Sequence, residues 1–473
     1  MLQTLDFVVI AAYICGVAAF GVWAGGRQKS TSDYFLGGRD LPWWAVCFSV
    51  IATETSTLTV IGVPAVSFGG TLTFFQITLG YLIGRIAVAA WFLPRYFRGE
   101  LQTAYAFLGE RFGTGLQTVS SITFMVTRLL ADGVRLFATA IPLKIILASA
   151  GVDIGYAAII AIIGLATIVY TYIGGIKAVV WMDTIQLGIY IGGAILAVGI
   201  LMQGLPADWV QEAASEGKTQ ILNWSPALID WLTQPYAFIT AIVGGAVFTM
   251  ASHGSDQLIV QRILACRSLS DGRKAMIGSG VGVVLQFALF LFVGLLLWAH
   301  YGGAPLESLG LSRADEVFPK FIVEGMPVGL AGLLLAGIIA AAMSTLSSSL
   351  NALAGATVFD VLPRILKKQP SEETALRISK GVTLVWGGVF IGFAMLFTDI
   401  ENPVVELGLS IASFTYGGLL GAFLLGMVSK RASHTDAVVA FLGTIFIMTL
   451  VIFGVFYSGS SETWMFIWRP DST

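Results

Sequence analysis

Charged residues are scarce in this sequence. Only 11% of its 473 residues are Asp, Glu, Lys or Arg, whereas soluble domains usually carry about 25%. The 26 basic and 28 acidic residues nearly cancel, leaving a formal net charge of -2. This balance lacks the basic surface that nucleic-acid binding needs, so nucleic acid is not an expected partner.

Cysteine and histidine are also rare. The sequence contains three of each, at Cys15, Cys47, Cys266, His253, His300 and His434. Their number and spacing exclude a disulfide framework and a cysteine-based metal site. They also lack the ligand spacings of a zinc hydrolase or a haem protein. No other group of residues has the pattern of a catalytic site, so we expect a protein that is not an enzyme.

Apolar residues are abundant instead. They make up 56% of the chain, and the mean hydropathy is +0.84. A window of about 19 residues, which crosses roughly 30 Å of hydrocarbon, predicts about twelve transmembrane spans. The sequence therefore indicates an all-α integral membrane protein with one transmembrane domain over residues 1–473. The predicted spans are 7–25, 43–67, 72–97, 117–148, 155–174, 178–203, 236–261, 274–300, 328–352, 378–398, 403–428 and 436–457.

The positive charges predict the orientation of these spans. Asp6 precedes the first span, whereas Arg27 and Lys29 follow it. This order argues against a cleaved signal peptide, and the positive-inside rule then puts the N-terminus outside. Most later Lys and Arg residues, Arg262 among them, fall on connections that this alternation assigns to the inside. We expect a multi-pass protein of the cell (inner) membrane.

Two spans contain polar interruptions. The second holds the run from Thr53 to Thr57, and the seventh holds polar residues from Thr249 to Gln257. A span can break only where its backbone is buried in protein or lines a cavity. Broken helices at matching positions of two halves predict an inverted-repeat transporter with its site at the bilayer midplane. The predicted units are a leading helix 7–25, a first repeat 43–203, a second repeat 236–428 and an additional C-terminal helix 436–457.

The ninth span carries five hydroxyl residues within six positions. Ser344, Ser347 and Ser348 stand at i, i+3 and i+4 and share one helical face. One interpretation is structural, with the hydroxyls bonded to carbonyls one turn earlier so that helices pack closely. The other is a sodium site, because hard cations prefer oxygen ligands and a broken helix supplies free carbonyls.

Two carboxylates fall inside apolar spans. Asp183 lies near the start of the sixth span, and Glu54 lies midway along the second. A buried carboxylate is costly in a membrane and needs a partner or an ion. For Asp183 the alternatives are an ion site, a helix cap or a pair with Lys177. For Glu54 the functional interpretation is a cation-attracting or proton-linked carboxylate.

Several cationic side chains are similarly enclosed. Arg128, Asp132 and Arg135 share one face of the fourth span. They form either a structural ion pair or an Arg128–Asp132 pair that leaves Arg135 free to bind a substrate carboxylate. Arg85 is a similar isolated charge. His253 has three open roles: a gate, a substrate donor or a satisfied polar residue.

Five segments of the chain resemble the sodium/solute symporter family, which includes bacterial proline, sialic acid and galactose symporters and human sodium-glucose transporters. The segments run from Asp33 to Arg39, Ala52 to Pro64, Tyr170 to Ile176, Asp256 to Arg262 and Ser344 to Asn351. The resemblance implies a leucine-transporter-like fold, with two inverted five-helix repeats preceded by one helix.

The resemblance also implies sodium ligands at particular positions. The family's main sodium site corresponds to main-chain oxygens of Ala52, Thr55 and Ala341 and to the hydroxyls of Ser344 and Thr345. A second sodium site, known in some members, corresponds to Asp183, Ser344, Ser347 and Ser348. Glu54 falls where the proline-transporting branch has an aspartate implicated in sodium binding, and it is therefore an ion-coupling candidate.

Substrate-facing positions follow from the same resemblance. They correspond to Ser56, Thr59, Phe74, Thr78, Thr249, Ser252 and His253, and Arg135 joins them as a candidate anion partner. His253 replaces an aromatic residue that sugar-transporting members have at the inner side of the site. The hydroxyl lining suits a polyol or sugar, whereas Arg135 suits a carboxylate.

The expected function is secondary active transport. Inward sodium flow, with one or two ions per cycle, would drive import of a small polar solute by alternating access. The solute classes considered are sugars, amino acids, monocarboxylates and sialic acids, and the expected unit is a monomer in the lipid bilayer. The alternatives are proton-coupled symport through Glu54 or Asp183, and a non-transporting sensor on the same fold.

Overall fold

The computed structural model describes residues 2–99, 101–149, 151–224, 231, 234, 236–366, 370–396 and 404–452, and their regular structure is helical. The helices are α1 (Thr4–Gly25), α2 (Thr31–Leu36), α3 (Trp43–Glu54), α4 (Thr57–Gly69), α5 (Phe75–Ala87), α6 (Leu93–Arg98), α7 (Ala106–Phe112), α8 (Thr114–Ser149), α9 (Tyr156–Gln203), α10 (Trp209–Ser215), α11 (Phe238–Gly254), α12 (Gln257–Leu264), α13 (Leu269–His300), α14 (Val317–Glu324), α15 (Leu330–Ala356), α16 (Leu362–Ile365), α17 (Glu372–Met395), α18 (Val404–Val428) and α19 (His434–Ile452). Single π-helical turns join α5 to α6 and α15 to α16.

Each predicted span coincides with a helix or a pair of helices. The fifth and sixth spans lie within α9, which has 48 residues and would measure about 72 Å if it were straight. Gly175 divides it with a φ of 57°, a left-handed value that favours glycine. A Cβ there would also lie 2.5 Å from the carbonyl oxygen of Tyr34. The predicted positions 397–398, 403 and 453–457, and the tail 458–473, lie outside the described residues.

The two polar interruptions are true helix breaks. The axes of α3 and α4 differ by 67°, and those of α11 and α12 by 62°. Ser56 caps α4 in a reciprocal arrangement with Thr59, and the side chain of Asp256 caps α12 by accepting from the backbone N–H of Leu258. The polar residues at each break therefore satisfy backbone groups that the bend exposes.

Helix α15 lies at the centre of the bundle, since every residue from Leu334 to Ala356 is buried. Helix α1 packs closely along α9, because a Cβ on Gly25 would lie 2.1 Å from the Cα of Gly174. Asp6 of α1 accepts the backbone N–H groups of Gly329 and Gly332 at 2.7 and 2.8 Å. The leading helix thus caps the start of α15, where a carboxylate also complements the helix dipole.

Candidate functional site

The break between α3 and α4 lies beside the middle of α15. Thr53 Oγ1 is 3.0 Å from Ser348 Oγ, and Thr57 Oγ1 donates to the carbonyl oxygen of Ile338 at 3.1 Å. The two contacts therefore lie before and after the break. On α15 they lie at either end of the segment that contains Ala341, Ser344 and Thr345.

The end of α3 offers carbonyl oxygens at this point. Helix α3 ends at Glu54, and Thr55 turns to an extended ψ of 102°, so the last carbonyls of the helix lose their usual partners. Ala52 and Thr55 belong to this turn. On α15, Thr345 Oγ1 donates to the carbonyl oxygen of Ala341 at 3.2 Å. The main-chain and hydroxyl oxygens predicted for the main sodium site therefore lie on two segments, the end of α3 and the middle of α15.

Asp183 lies in a second polar cluster next to this segment. Its side chain is fully buried, and it accepts hydrogen bonds from Ser344 Oγ at 2.6 Å and from Ser49 Oγ at 2.5 Å. Ser347 and Ser348 instead donate to the carbonyl oxygen of Ser344, at 3.0 and 2.6 Å. Both interpretations of the hydroxyl run thus have support, because two hydroxyls bond back to the helix and one reaches the carboxylate.

The partner of Asp183 is Arg262, which the sequence did not suggest. The expectation that Arg262 lies on an inner connection was wrong, because it belongs to α12 and its side chain is fully buried. Its Nη2 lies 3.3 Å from Asp183 Oδ2. The signal in the sequence was that Arg262 lies five residues after the polar interruption of the seventh span. The structure continues this span as α12, and all eight residues of α12 are buried.

The charged residues of α8 form a larger network than expected. Asp132 lies 3.0 Å from Arg135 and 3.4 Å from Arg128. Arg128 is also paired with Asp256 and donates to the hydroxyl of Tyr416 at 2.7 Å. Of the two alternatives, the contacts favour the structural ion pair, because Arg135 is also paired with Asp132. Asp256, at the break before α12, shares Arg128 with Asp132.

A small cavity of about 10 Å³, the space of about one water molecule, lies between α4, α8 and α15. Arg135 lines it with its side chain 26% exposed, and its ion pair with Asp132 leaves part of the guanidinium facing the cavity. The lining thus combines the Arg135–Asp132 ion pair with hydroxyl groups and includes the predicted sodium ligand Thr345. The lining residues are Ser56, Asp132, Arg135, Leu136, Thr139, Ala342, Thr345 and Leu346.

Glu54 and His253 belong to another cluster. Glu54 is paired with Arg85 of α5, and His253 Nε2 lies 3.6 Å from the same carboxylate oxygen. Arg85 also donates to Ser279 Oγ at 2.9 Å, and Ser252 Oγ lies 2.9 Å from His253 Nδ1. Arg85 is therefore not isolated. A sodium ion at Glu54 would have to compete with a buried guanidinium, so the geometry favours a structural role for Glu54 as the counter-ion of Arg85.

We predict that Glu54→Gln lowers thermal stability but changes the half-saturating sodium concentration by less than about twofold. The substitution leaves Arg85 buried without its counter-ion, which is costly, but it removes no oxygen near α15. The measurement is a sodium titration of substrate binding together with thermal unfolding in detergent. A large loss of sodium affinity at unchanged stability would instead make Glu54 an ion ligand.

The other predicted substrate positions lie apart from the cavity lining. Phe74 stacks on Phe287 of α13, with ring centroids 5.7 Å apart. Thr78 Oγ1 donates to the carbonyl oxygen of Phe75 at 2.7 Å, and the buried hydroxyl of Thr249 has no partner among the described residues. Thr59 faces the N-terminus of α4 as part of its cap. Only Ser56 and Arg135 of the predicted substrate positions line the described cavity.

Comparisons with known proteins match nearly the whole chain. The sequence model of the Sodium:solute symporter family matches residues 34–445. The human sodium/iodide cotransporter is 30% identical over 448 residues, which are 93% of this chain and 68% of that protein. The sodium/sialic acid symporter NanT of Aliivibrio fischeri is 28% identical over 93% of this chain and 86% of its own length.

A solved structure has the same architecture. It is a Na+-coupled sialic acid symporter in a substrate-bound, outward-open state, described as revealing a novel Na+ site. It is 26% identical, covers 98% of this chain and 94% of its own, and superposes with a TM-score of 0.85. The predicted fold class, all-α with a leucine-transporter-like arrangement of two inverted repeats, is confirmed by this match.

Proposed function

The chain belongs to the sodium:solute symporter family, and we propose on that premise that it couples sodium entry to uptake of a small solute carrying a carboxylate. Sodium-coupled symport of a small solute across a membrane is the activity that the family and its relatives establish, and the chain is not an enzyme. The solute class, the ion number and the residues involved are proposals.

The main sodium site is proposed where α3 ends beside α15. Its ligands are main-chain oxygens of Ala52, Thr55 and Ala341 with the hydroxyls of Ser344 and Thr345. The observation that supports it is the pair of hydrogen bonds from α3 and α4 to α15, at 3.0 and 3.1 Å, which bracket these residues. Sodium bound here would join the two elements and make the adjacent cavity competent for solute.

A second sodium site is proposed at Asp183, with Ser344, Ser347 and Ser348. Its support is chemical, since three hydroxyls and one carboxylate lie within one buried cluster and hard cations prefer such oxygens. Two ions per cycle would then accompany each solute, with the second ion bound by a buried carboxylate that is otherwise paired with Arg262.

The preference for a carboxylate-bearing solute rests on Arg135. Its side chain lines a cavity of about 10 Å³ together with the carboxylate of Asp132, three hydroxyls and apolar groups. A carboxylate fits the planar fork of an arginine in bidentate fashion. Monocarboxylates and sialic acids, which relatives carry according to their names, both have this group. A neutral sugar would use the hydroxyls of Ser56, Thr139 and Thr345.

We predict that Arg135→Gln abolishes transport of an acidic solute while folding and sodium binding persist. The variant loses the anion partner but retains a polar side chain at the cavity wall. Uptake of labelled monocarboxylates and sialic acids into proteoliposomes is the measurement, and sodium-dependent thermal stabilisation reports on the rest of the site. Arg135→Lys is the matched control, because it keeps the charge without the fork. Normal transport by Arg135→Gln would make a neutral solute the better assignment.

Proton coupling is the competing mechanism. Glu54 and Asp183 are each paired with a buried arginine, so a proton, like a sodium ion, would have to replace that arginine in order to bind either carboxylate. Vesicles that carry either an imposed sodium gradient or an imposed pH gradient separate the two cases. We expect uptake to follow sodium alone, and uptake driven by pH alone would contradict this proposal.

The remaining assignments describe the setting of the transporter. The chain is a multi-pass membrane protein, and we place it in the cell (inner) membrane with its N-terminus outside and its functional unit as a monomer. The repeats are assigned to 43–203 and 236–428, after the leading helix 7–25 and before the additional helix 436–457. Accessibility labelling of cysteines introduced into the loops tests the orientation.

A further inference from the structure

Arg262 fills the polar cluster around Asp183 with its guanidinium. Its Nε donates to Ser49 Oγ at 2.9 Å, and its Nη1 donates to the carbonyl oxygen of Leu258 at 2.8 Å. Its Nη2 donates to Ser348 Oγ and lies 3.3 Å from Asp183 Oδ2. The side chains of Arg262 and Asp183 are both 0% exposed. Every nitrogen of the guanidinium therefore has an oxygen partner.

These partners overlap the proposed ligands of the second sodium site. Arg262 binds Asp183 and Ser348 directly, and Asp183 also accepts from Ser344. The guanidinium donates to the same oxygen lone pairs that a sodium ion would use. In a buried cluster, one carboxylate neutralises one positive charge, and a second cation there would be unpaired at a high free-energy cost.

We propose that Arg262 and sodium are alternative partners of Asp183, so that Arg262 acts as a built-in competitor that sets the affinity of the second sodium site. This inference rests on the second site proposed above. Sodium binds Asp183 when the guanidinium moves away, and Arg262 returns as sodium leaves. The buried carboxylate then has a counter-charge at both stages.

The competition would link this site to the inner half of the second broken helix. Arg262 belongs to α12, whereas its partners Ser49, Asp183 and Ser348 belong to α3, α9 and α15. Separate polar contacts still hold α12, since Gln261 donates to Asn351 at 2.8 Å and Asp256 pairs with Arg128. Moving Arg262 thus releases one of several attachments of α12. By linkage, displacement of α12 would strengthen sodium binding to the same degree that sodium favours the displacement.

The test is a titration of purified Arg262→Gln with sodium, in which binding is monitored as a rise in thermal stability in detergent. Choline replaces sodium so that the ionic strength stays constant. Removal of the competing charge should lower the half-saturating sodium concentration at least tenfold and raise the Hill coefficient above that of the unmodified protein. Unchanged or weakened sodium binding in a folded variant would overturn the proposal.

Two further variants keep the test decisive. Arg262→Lys retains the charge but loses the fork that contacts several oxygens, so it should fold and tighten sodium binding at least threefold. If both Arg262 variants bind sodium no more tightly than the unmodified protein, the proposal is wrong. Adding Asp183→Asn to Arg262→Gln should reverse the gain, because the carboxylate for which the two cations compete is then absent. A gain that survives Asp183→Asn would also overturn the proposal.

Controls separate this inference from the proposed function. Arg267→Gln removes a cation five positions along the chain, whose exposed side chain pairs with Asp40 at 2.7 Å, and it should leave the titration unchanged. Thr345→Ala tests the main site. If Thr345→Ala weakens sodium binding and Arg262→Gln has no effect, sodium symport stands and the role of Arg262 falls. If neither the unmodified protein nor any variant responds to sodium, the proposed coupling itself fails.

Discussion

Replacing Thr345 with alanine is expected to raise the half-saturating sodium concentration by about 5- to 150-fold. The substitution deletes a hydroxyl from a buried site, and an unmet polar interaction there costs about 1–3 kcal/mol, which corresponds to that range of affinity. The side chain of Thr345 is only 5% exposed, so water has little access to replace the lost ligand. The measurement is sodium-dependent uptake at saturating solute.

Thr345→Ser is the matched control for this experiment, because it keeps the hydroxyl and removes only a methyl group. It should stay close to the unmodified protein in sodium affinity. Ser344→Ala should weaken sodium binding as Thr345→Ala does, since Ser344 belongs to the same proposed site. Unchanged sodium dependence in both alanine variants would remove the main site from this segment of α15.

The second large effect is expected on stability. We predict that Asp132→Asn lowers the free energy of unfolding by about 3–5 kcal/mol, the usual loss when one partner of a buried ion pair is removed. Asp132 contacts Arg135 at 3.0 Å and Arg128 at 3.4 Å, and it also accepts from Ser349 of α15. Since Asp256 still pairs with Arg128, the amide would leave one positive charge of the network uncompensated and loosen α8 from α15.

Unfolding in detergent, followed by intrinsic fluorescence, measures this loss. Asp436→Asn is the control, because that carboxylate accepts from the backbone N–H of Ser433 at an exposed helix start and has no cationic partner among the described ion pairs. This control should have the same free energy of unfolding as the unmodified protein. If the free energy of unfolding of Asp132→Asn is also unchanged, the arginines of α8 do not depend on Asp132.

The helix breaks were predictable because of their local chemistry. A run such as Thr53 to Thr57 in an apolar span has few uses other than capping and ligation, and the structure uses Ser56 as a cap. The turn within α9 was equally predictable, since hydropathy limits a span to about 20 residues. Length and polarity along the chain carry this information.

The pairing of buried charges was not predictable in the same way. Arg128 and Asp256 are 128 residues apart, and Arg262 and Asp183 are 79 apart. The positive-inside rule counts Arg262 by its position in the chain and does not distinguish a solvated arginine from a buried one. Likewise, the i, i+4 spacing of Arg128 and Asp132 suggested a local pair, but a more distant carboxylate at a helix break binds Arg128 as well. Such choices depend on tertiary packing.

The contact between Asp6 and the start of α15 affects the order of assembly during synthesis. Asp6 and Gly329 are 323 residues apart, and ribosomes add about 5–20 residues per second, so roughly 16 to 65 seconds separate their synthesis. During that interval the Asp6 carboxylate lacks the N–H groups that bind it in the finished protein. Helix α1 is thus synthesised before α9 and α15, but its Asp6 can bind the N-terminus of α15 only after most of the chain has been translated. Until then the Asp6 carboxylate has to be hydrated or paired with another group.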